Sequence, residues 1–494
     1  MNNVESLAYF IPEIILSVTV LIVLIASIFD IDRSPFDISG LIALIGTCVA
    51  MIPLWNLFWH AEPTQLFQGM IAHDLFGLFF RGFSLLTTAI VILMSMFSNE
   101  VLHLKKSEYH AILLSVCVGM CLVATAQDLV MIYLSLELMS IGSYILVGFS
   151  RKIGKSEEAS LKYVLYGGVS TGIMLFGLSL LYGLTGATSF QAIQETLMNS
   201  SASIDLVMFI IFLFILVGAG YKIAAVPFHF WAPDIYEGAP TPITAFLSVA
   251  SKGTGFALMI RLFFSTILTQ PLGEGPWSEI ADIDLNWTWS IAILSAITMT
   301  VGNLGAIPQM NLKRLLAYSS IAHAGYMLMG VCLLTTTGLE SVLFYLIVYL
   351  FTNLAAFLVI VILVDAQDNE QMSGLRGLGV RAPFAAVTMT VALFSLIGLP
   401  PTAGFVGKIY LLYAVIQEEI YWLALVAVLN TVVSLYYYAR IIKAMYLENP
   451  TSVKPFRPQP VNLVLLLLLT LPIVYFGIWW NALVELARAC TQLI

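Results

Sequence analysis

The chain has 494 residues, of which 60% are apolar and only 10% charged, with a formal net charge of −8. Soluble domains carry about a quarter charged residues, so this composition excludes a water-soluble protein and describes an integral membrane one. The lysines are scattered and form no basic patch, which excludes nucleic acid as a partner.

The apolar runs are about 20 residues long, the length a helix needs to cross ~30 Å of hydrocarbon, and too long and unbroken for outer-membrane strands. The expected fold class is therefore an all-α polytopic membrane protein. In chain order, fourteen spans are expected over 8–29, 38–59, 74–97, 109–126, 128–150, 158–184, 205–227, 241–267, 287–306, 315–336, 339–364, 383–416, 421–442 and 461–482. Met1-Asn2-Asn3-Val4-Glu5 has no basic residue, so the first span reads as a retained helix rather than a cleaved signal.

Charge in the connecting loops tests this count. Arg33, Lys105, Lys106, Arg151, Lys152, Lys155, Lys313, Arg314, Arg376, Arg381, Lys443, Lys454 and Arg457 all fall in or at the edge of odd-numbered loops, and the even-numbered loops hold no Lys or Arg. The long even loops 185–204 and 268–286 instead carry acids such as Glu195, Glu274, Glu279 and Asp282. Cytoplasmic loops are enriched in Lys and Arg, so both termini are expected on the periplasmic face.

The remaining charges lie in or near spans. Arg81, Arg261 and Arg440 stand close to span ends and are expected to snorkel to the interface. Glu137, Lys222, Lys252 and Lys408 lie deeper, where a charge costs several kcal/mol on insertion scales unless paired, so each is a candidate functional residue. Lys252 sits in Ala250-Ser251-Lys252-Gly253-Thr254-Gly255, among small residues that let water or another helix approach. Lys162, near the start of its span, and His323, mid-span after Ser319-Ser320, are weaker candidates. Cys48, Cys117, Cys121, Cys332 and Cys490 contain no C-x-x-C, metal-ligand or haem-attachment spacing, so no metal site or redox cofactor is expected here. Cys117 and Cys121 share a helix face and read as packing residues. With no G-x-x-x-x-G-K-[ST], the chain does not drive itself with ATP.

Spans 7 and 12 are expected to be broken helices. Span 12 contains Gly398-Leu399-Pro400-Pro401-Thr402-Ala403-Gly404 just before Lys408, and span 7 contains Gly218-Ala219-Gly220-Tyr221-Lys222, then Pro227 and His229; proline and glycine both weaken a helix. These two spans cross in opposite directions. That pattern points to two inverted five-helix repeats, and to an organisation of 1–108 (helices 1–3), 109–270 (first repeat, helices 4–8), 287–447 (second repeat, helices 9–13) and 448–494 (helix 14). The residues alone describe a membrane protein that moves protons or small cations along buried lysines.

The stretch Lys222-Ile-Ala-Ala-Val-Pro-Phe-His-Phe-Trp-Ala-Pro-Asp-Ile-Tyr-Glu-Gly-Ala-Pro-Thr-Pro242, continuing to Lys252, resembles the signature of the antiporter-like membrane subunits of NADH:quinone oxidoreductase (respiratory complex I) and of multisubunit cation/proton antiporters. Ile11-Pro-Glu-Ile-Ile-Leu16, Glu158-Ala-Ser-Leu-Lys162-Tyr-Val-Leu-Tyr-Gly167 and Gly398-Leu-Pro-Pro-Thr-Ala-Gly-Phe-Val-Gly-Lys408 resemble subunit N in particular. A glutamate at 408 would fit subunit M, and the largest subunit carries a long lateral helix after its last core span, where about a dozen residues follow here. The resemblance implies that Glu137 and Lys222 form the charged pair of a first half-channel, that Lys252 is a central relay and Lys408 an outlet residue, with Lys162, His229 and His323 auxiliary. It also implies that flavin, iron–sulfur clusters and the quinone site belong to other subunits. The expected partners are other membrane-arm subunits and the lipid bilayer, in a bacterial inner membrane, and the chain is not expected to work as a monomer. The alternatives are a subunit of a sodium/proton antiporter, a photosynthetic NDH-type subunit, or a passive scaffold.

Overall fold

A computed structural model describes residues 3–29, 36–102, 104–150, 154–199, 205–267, 287–450 and 458–491. Arg33, Arg151, Lys152, Glu274, Glu279, Asp282, Lys454 and Arg457 lie outside the described residues. Among those described, 13 helices are long and apolar enough to cross a membrane. Two 15-residue helices, Pro383–Ile397 and Ala403–Gln417, occupy the expected span 383–416.

The helices used below are, in chain order, α1 (Ile11–Ile28), α2 (Ile38–Trp59), α3 (Leu75–Met96), α4 (Lys106–Thr125), α5 (Leu129–Val147), α6 (Gly154–Thr185), α7 (Asp205–Ile223), the short α8 (Trp231–Gly238), α9 (Thr241–Phe246), α10 (Lys252–Leu262), α11 (Trp287–Ala306), α12 (Leu312–Leu333), α13 (Thr336–Gln367), α14 (Pro383–Ile397), α15 (Ala403–Gln417), α16 (Tyr421–Leu447) and α17 (Pro460–Ile478). A hairpin of β1 (Thr64–Leu66) and β2 (Ile71–His73) pairs antiparallel, an element not anticipated from the sequence. Arg314 lies in the first turn of α12 together with Lys313, not in a loop.

Short polar side chains set the helix starts. Asp37, Asp74 and Asp128 accept hydrogen bonds from Gly40, Gly77 and Val130 amides at 2.8, 2.7 and 2.8 Å, and Asn311 and Thr335 cap α12 and α13 in the same way. First-turn amides have no partner inside their own helix, and lipid offers none, so a capping oxygen must supply it.

Burial then grades across the bundle. Thr241–Thr266 is 100% buried, and α12 and α13 are 94% and 89% buried, against 28% for α1 and 33% for α17. The Lys252 span is thus the most enclosed among the described residues, packed against α3, α4, α7 and α13.

The arginines correct one expectation. Arg81 and Arg261 are both fully buried and do not snorkel. Arg81 Nε lies 2.8 Å from Glu13 Oε1 of α1, and Arg261 forks onto both Asp74 oxygens while donating to the Ala124 carbonyl. Arg440 is half-buried and donates to the Ile307 and Gln309 carbonyls. Each found an acceptor on a distant segment, so reaching for the interface brought no advantage.

Two chain interruptions shape the interior. After Ile223, Ala224 takes a left-handed φ of 59° and the helix resumes only at Trp231; the gap is stitched by Ala225 N–H to Gly220 O and by the Trp231 indole to Tyr221 O at 2.9 Å. After Ile397, Gly398 takes φ 85° and α15 starts at Ala403. A third irregularity was not foreseen: Leu247–Ser251 is a wide π turn ending at Lys252. Such turns leave backbone groups less completely paired and recur at functional positions.

Candidate functional site

Five of the candidates are buried, His229 among them, and the other four form one row. Lys222, Lys252 and His323 are each 2% exposed and Lys408 6%. They come from the last turn of α7, the first turn of α10, the middle of α12 and the second turn of α15.

Lys222 lies at the α7 break. Its ammonium donates to Ser140 Oγ at 2.6 Å and stands 5.9 and 5.6 Å from the Tyr144 and Tyr221 ring centres. Glu137 is half-buried one turn before Ser140 on α5, and no direct ion pair joins it to Lys222 among the described residues. The expected pair is therefore separated, with a hydroxyl at the lysine end.

Lys252 donates to the Ser320 carbonyl of α12. Gly255, on the same helix, lets α10 pack closely on the end of α7, because a Cβ there would stand 2.7 Å from Ile223 Cγ2 and 3.1 Å from Lys222 Cβ. One turn beyond Ser320, His323 Nδ1 lies 2.7 Å from Tyr345 Oη and Nε2 3.3 Å from Tyr438 Oη, while Tyr438 also bonds Ser319 Oγ. The imidazole faces hydroxyls on both nitrogens, so it can take a proton on one side and release it on the other.

Lys408 lies beyond. Its ammonium donates to Ile397 O at 3.0 Å, at the carbonyl end of α14, and sits 4.3 Å from the centre of the Tyr326 ring, itself 5.8 Å from the His323 ring. The negative end of a helix dipole suits an ammonium. Gly398 is needed both for its φ of 85° and because a Cβ would stand 2.9 Å from Lys408 Cδ. Around this row the buried hydroxyls of Ser251, Ser320, Tyr144, Tyr236 and Tyr349 make no well-formed hydrogen bond to the protein. Groups of this kind are where enclosed water binds and protons travel.

Lys162 and His229 stand apart from the row. Lys162 is 36% exposed and pairs with Glu158 and Asp234, both at 2.7 Å. His229 lies buried in the α7–α8 gap with its Nδ1 unpartnered. Lys162 instead belongs to a cluster at the end of the bundle that carries Lys105, Lys155 and Lys313. There an open cavity of about 1110 Å³ is lined by Glu100, Lys155, Glu237, Lys313, Asp365 and Glu370, among others. Burial pushes the Asp234 carboxyl up, but hydrogen bonds from Lys162 and Arg314 outweigh it and hold the group below the usual carboxylate range.

Ser140, Ser320, Tyr326, Tyr345 and Tyr438 were missed as site residues by reading the sequence. The one available signal was tyrosine in mid-span, whose hydroxyl must find a partner when buried.

Known proteins match the chain along its length. A family profile described as NADH:quinone oxidoreductase/Mrp antiporter, TM, covers residues 126–434. The NADH-quinone oxidoreductase subunit N of Anaeromyxobacter sp. is 41% identical over 516 residues, covering 100% of this chain and 98% of that protein. The NAD(P)H-quinone oxidoreductase subunit 2 of Trichormus variabilis is 39% identical, over 93% of this chain and 88% of that one. A chain of respiratory complex I from Thermus thermophilus with bound aureothin superposes with TM-score 0.79 at 28% identity, over 97% of this chain and 99% of its own length. A chain of the Mrp complex from Dietzia sp. DQ12-45-1b superposes with TM-score 0.83 over 99% of this chain and 97% of that one, but at 20% identity this is a likeness of fold alone. With identity near two-fifths along its full length and the profile over most of it, the chain belongs to the subunit N family of NADH-quinone oxidoreductases.

Proposed function

We propose that protons cross this chain by way of Glu137, Lys222, Lys252, His323 and Lys408, in that spatial order. The chain is a proton-translocating membrane-arm subunit of a NADH-quinone oxidoreductase, and other membrane-arm subunits are its partners. It acts as a non-redox subunit of a bacterial inner membrane, with both termini on the periplasmic face and its lysine-bearing helices in two inverted five-helix units; flavin, iron–sulfur clusters and quinone chemistry reside in other chains. The observation that carries this reading is the link across the α10–α12 seam, Lys252 to Ser320 O and, one turn on, His323 between Tyr345 and Tyr438.

In each cycle Lys222 exchanges Ser140 for Glu137. Pairing with the carboxylate favours the protonated lysine, and separation favours release of its proton toward Lys252. His323 and its hydroxyls carry the proton on to Lys408. Moving one charge against the membrane potential costs about 2.3 kcal/mol per 100 mV, so quinone reduction elsewhere supplies the drive.

The test is Lys252→Met in the intact complex, reconstituted into vesicles. Proton uptake driven by NADH should fall at least roughly tenfold while the complex still assembles, and should not depend on sodium in the wild type. Uptake at the wild-type level in the variant would remove Lys252 from the path, and sodium-dependent uptake would favour the antiporter reading.

A further inference from the structure

The cluster around α8 has a geometry the relay does not use. Asp234 of α8 accepts from Lys162 of α6 on Oδ2 at 2.7 Å and from Arg314 of α12 on Oδ1 at 2.6 Å, so one carboxylate joins helices on the two sides of α8. Both outer partners have a second acid at hand. Lys162 also holds Glu158 at 2.7 Å, and Arg314 also reaches Glu237 at 3.3 Å, which Lys155 holds at 3.0 Å. Asp234 can therefore let go of either cation without leaving it unpaired.

Exposure decides how freely this exchange runs. The side chains of Lys162, Asp234 and Arg314 are 36%, 31% and 30% exposed, so each pair is screened by solvent and holds only weakly. The Arg261–Asp74 pair, 0% and 1% exposed, has no such freedom.

α8 also reaches the segments that carry Lys222, Lys252 and Ser320. Its first residue, Trp231, donates to the carbonyl of Tyr221, the neighbour of Lys222. Its Tyr236 carbonyl accepts from Thr244 Oγ1 on the segment leading to Lys252. Arg314 lies on α12, a little under two turns before Ser320, whose carbonyl holds Lys252.

Resting on the relay reading above, we propose that Asp234 is a positioning residue whose carboxylate, shared between Lys162 and Arg314, sets α8 against α6 and α12 and so controls proton delivery from Lys222 to Lys252. With Asp234 on both cations, α8 is held against α6 and α12 together. Leaving Lys162 to Glu158, its neighbour on α6, frees α8 from α6 at that point, while Asp234 and Glu237 of α8 keep Arg314 of α12, and the Lys222 segment can then shift relative to Lys252 and Ser320.

The experiment compares Asp234→Asn, Asp234→Glu, Arg314→Gln and the Asp234→Asn/Arg314→Gln double variant, each as intact complex in vesicles, reading protons taken up per quinone reduced. Asp234→Asn should lower that ratio roughly three- to tenfold with assembled complex at normal levels on a native gel. Asp234→Glu should restore most of it, and the double variant should be no worse than the worse single change. An unchanged ratio in Asp234→Asn, additive losses in the double variant, failure of Asp234→Glu to rescue, or a deficit that merely follows a lowered yield of complex would each overturn the proposal. Failure of the relay itself is read separately, from Lys252→Met.

Discussion

The Lys222 ammonium lies 2.6 Å from Ser140 Oγ, while Glu137, one turn earlier on the same helix, is not in contact with it. Ser140 donates its own proton to the Leu136 carbonyl, which leaves its lone pairs for the lysine. A hydrogen bond to a charged group contributes about 1.5–3 kcal/mol, enough to hold the lysine away from the carboxylate. Ser140→Ala should therefore drive Lys222 toward Glu137 and slow proton uptake by roughly tenfold. Glu137→Gln and Lys222→Ala should each reduce proton-coupled quinone reduction, and the double change should be little worse than either. Clearly additive losses, measured as rates in vesicles, would show that the two residues act independently.

Asp74 and Arg261 carry structural weight. The pair is fully buried, and Asp74 also caps α3 through Gly77. Removing one partner of a buried pair typically costs about 3–5 kcal/mol, because the other charge is left unpaired. Asp74→Ala should thus sharply lower the yield and thermal midpoint of the assembled complex. Asp74→Asn combined with Arg261→Met keeps a capping oxygen and removes both charges, and should recover much of the loss.

Orientation can be read by labelling. Lys105 is 71% exposed, Gln371 is exposed, and both line the cavity that Lys155 and Lys313 also line. Glu195 lies on the helix Phe190–Asn199, which follows the strand-like contacts of residues 188–190 with 127–129 at the start of α5. Lys105→Cys and Gln371→Cys should react with an impermeant thiol reagent only from the cytoplasmic side, and Glu195→Cys only from the periplasmic side. Labelling of all three from one side would sink the fourteen-span topology.

The spans and the buried lysines were legible because both are one-dimensional signals: a charge inside an apolar run stands out wherever the helix later packs. Partners are not of that kind. Ser140 lies 82 residues from Lys222 and Ser320 68 residues from Lys252, so neither contact leaves a local trace. Arg81 looked free to snorkel only because Glu13, its acceptor, lies two helices earlier. Lys162 looked ambiguous in sequence for the same reason, its second acid being Asp234, 72 residues on. The Leu247–Ser251 turn is a further case, since nothing in Leu-Ser-Val-Ala-Ser distinguishes it from a regular helical stretch.

His73 gives an acid response. Burial, then the nearby Arg81 cation, lower its pKa from 6.5 to about 4, against a smaller upward pull from Asp74. The unfolded chain would take up this proton below about pH 6.5 and the folded chain only near pH 4, so stability is full above that window and falls as pH drops through it. The loss amounts to at most about 3 kcal/mol. His73→Phe keeps a ring against Tyr9 and cannot titrate, so the acid-induced drop in thermal midpoint between those two pH values should shrink. An identical pH profile in the variant would place the acid sensitivity elsewhere.

Lys408 separates a pump from a scaffold. Its ammonium is held by Ile397 O at 3.0 Å and by the Tyr326 ring face, and its stem packs against Gly398, where there is no room for a Cβ. Lys408→Met keeps the length of that stem and removes a buried charge, so the complex should assemble at normal levels. If the residue relays protons, uptake should nevertheless drop by at least roughly tenfold. Lys408→Arg should fail for a different reason: a guanidinium keeps its proton throughout the accessible pH range, and its broader head must fit between Ile397 O and the Tyr326 ring. A retained charge with lost pumping in the arginine variant, beside lost pumping in the methionine variant, shows that what is needed at this position is a proton that can leave. Near-normal uptake in Lys408→Met, with the complex confirmed intact on a native gel, would make the lysine a structural bystander and return the scaffold reading for this half of the chain.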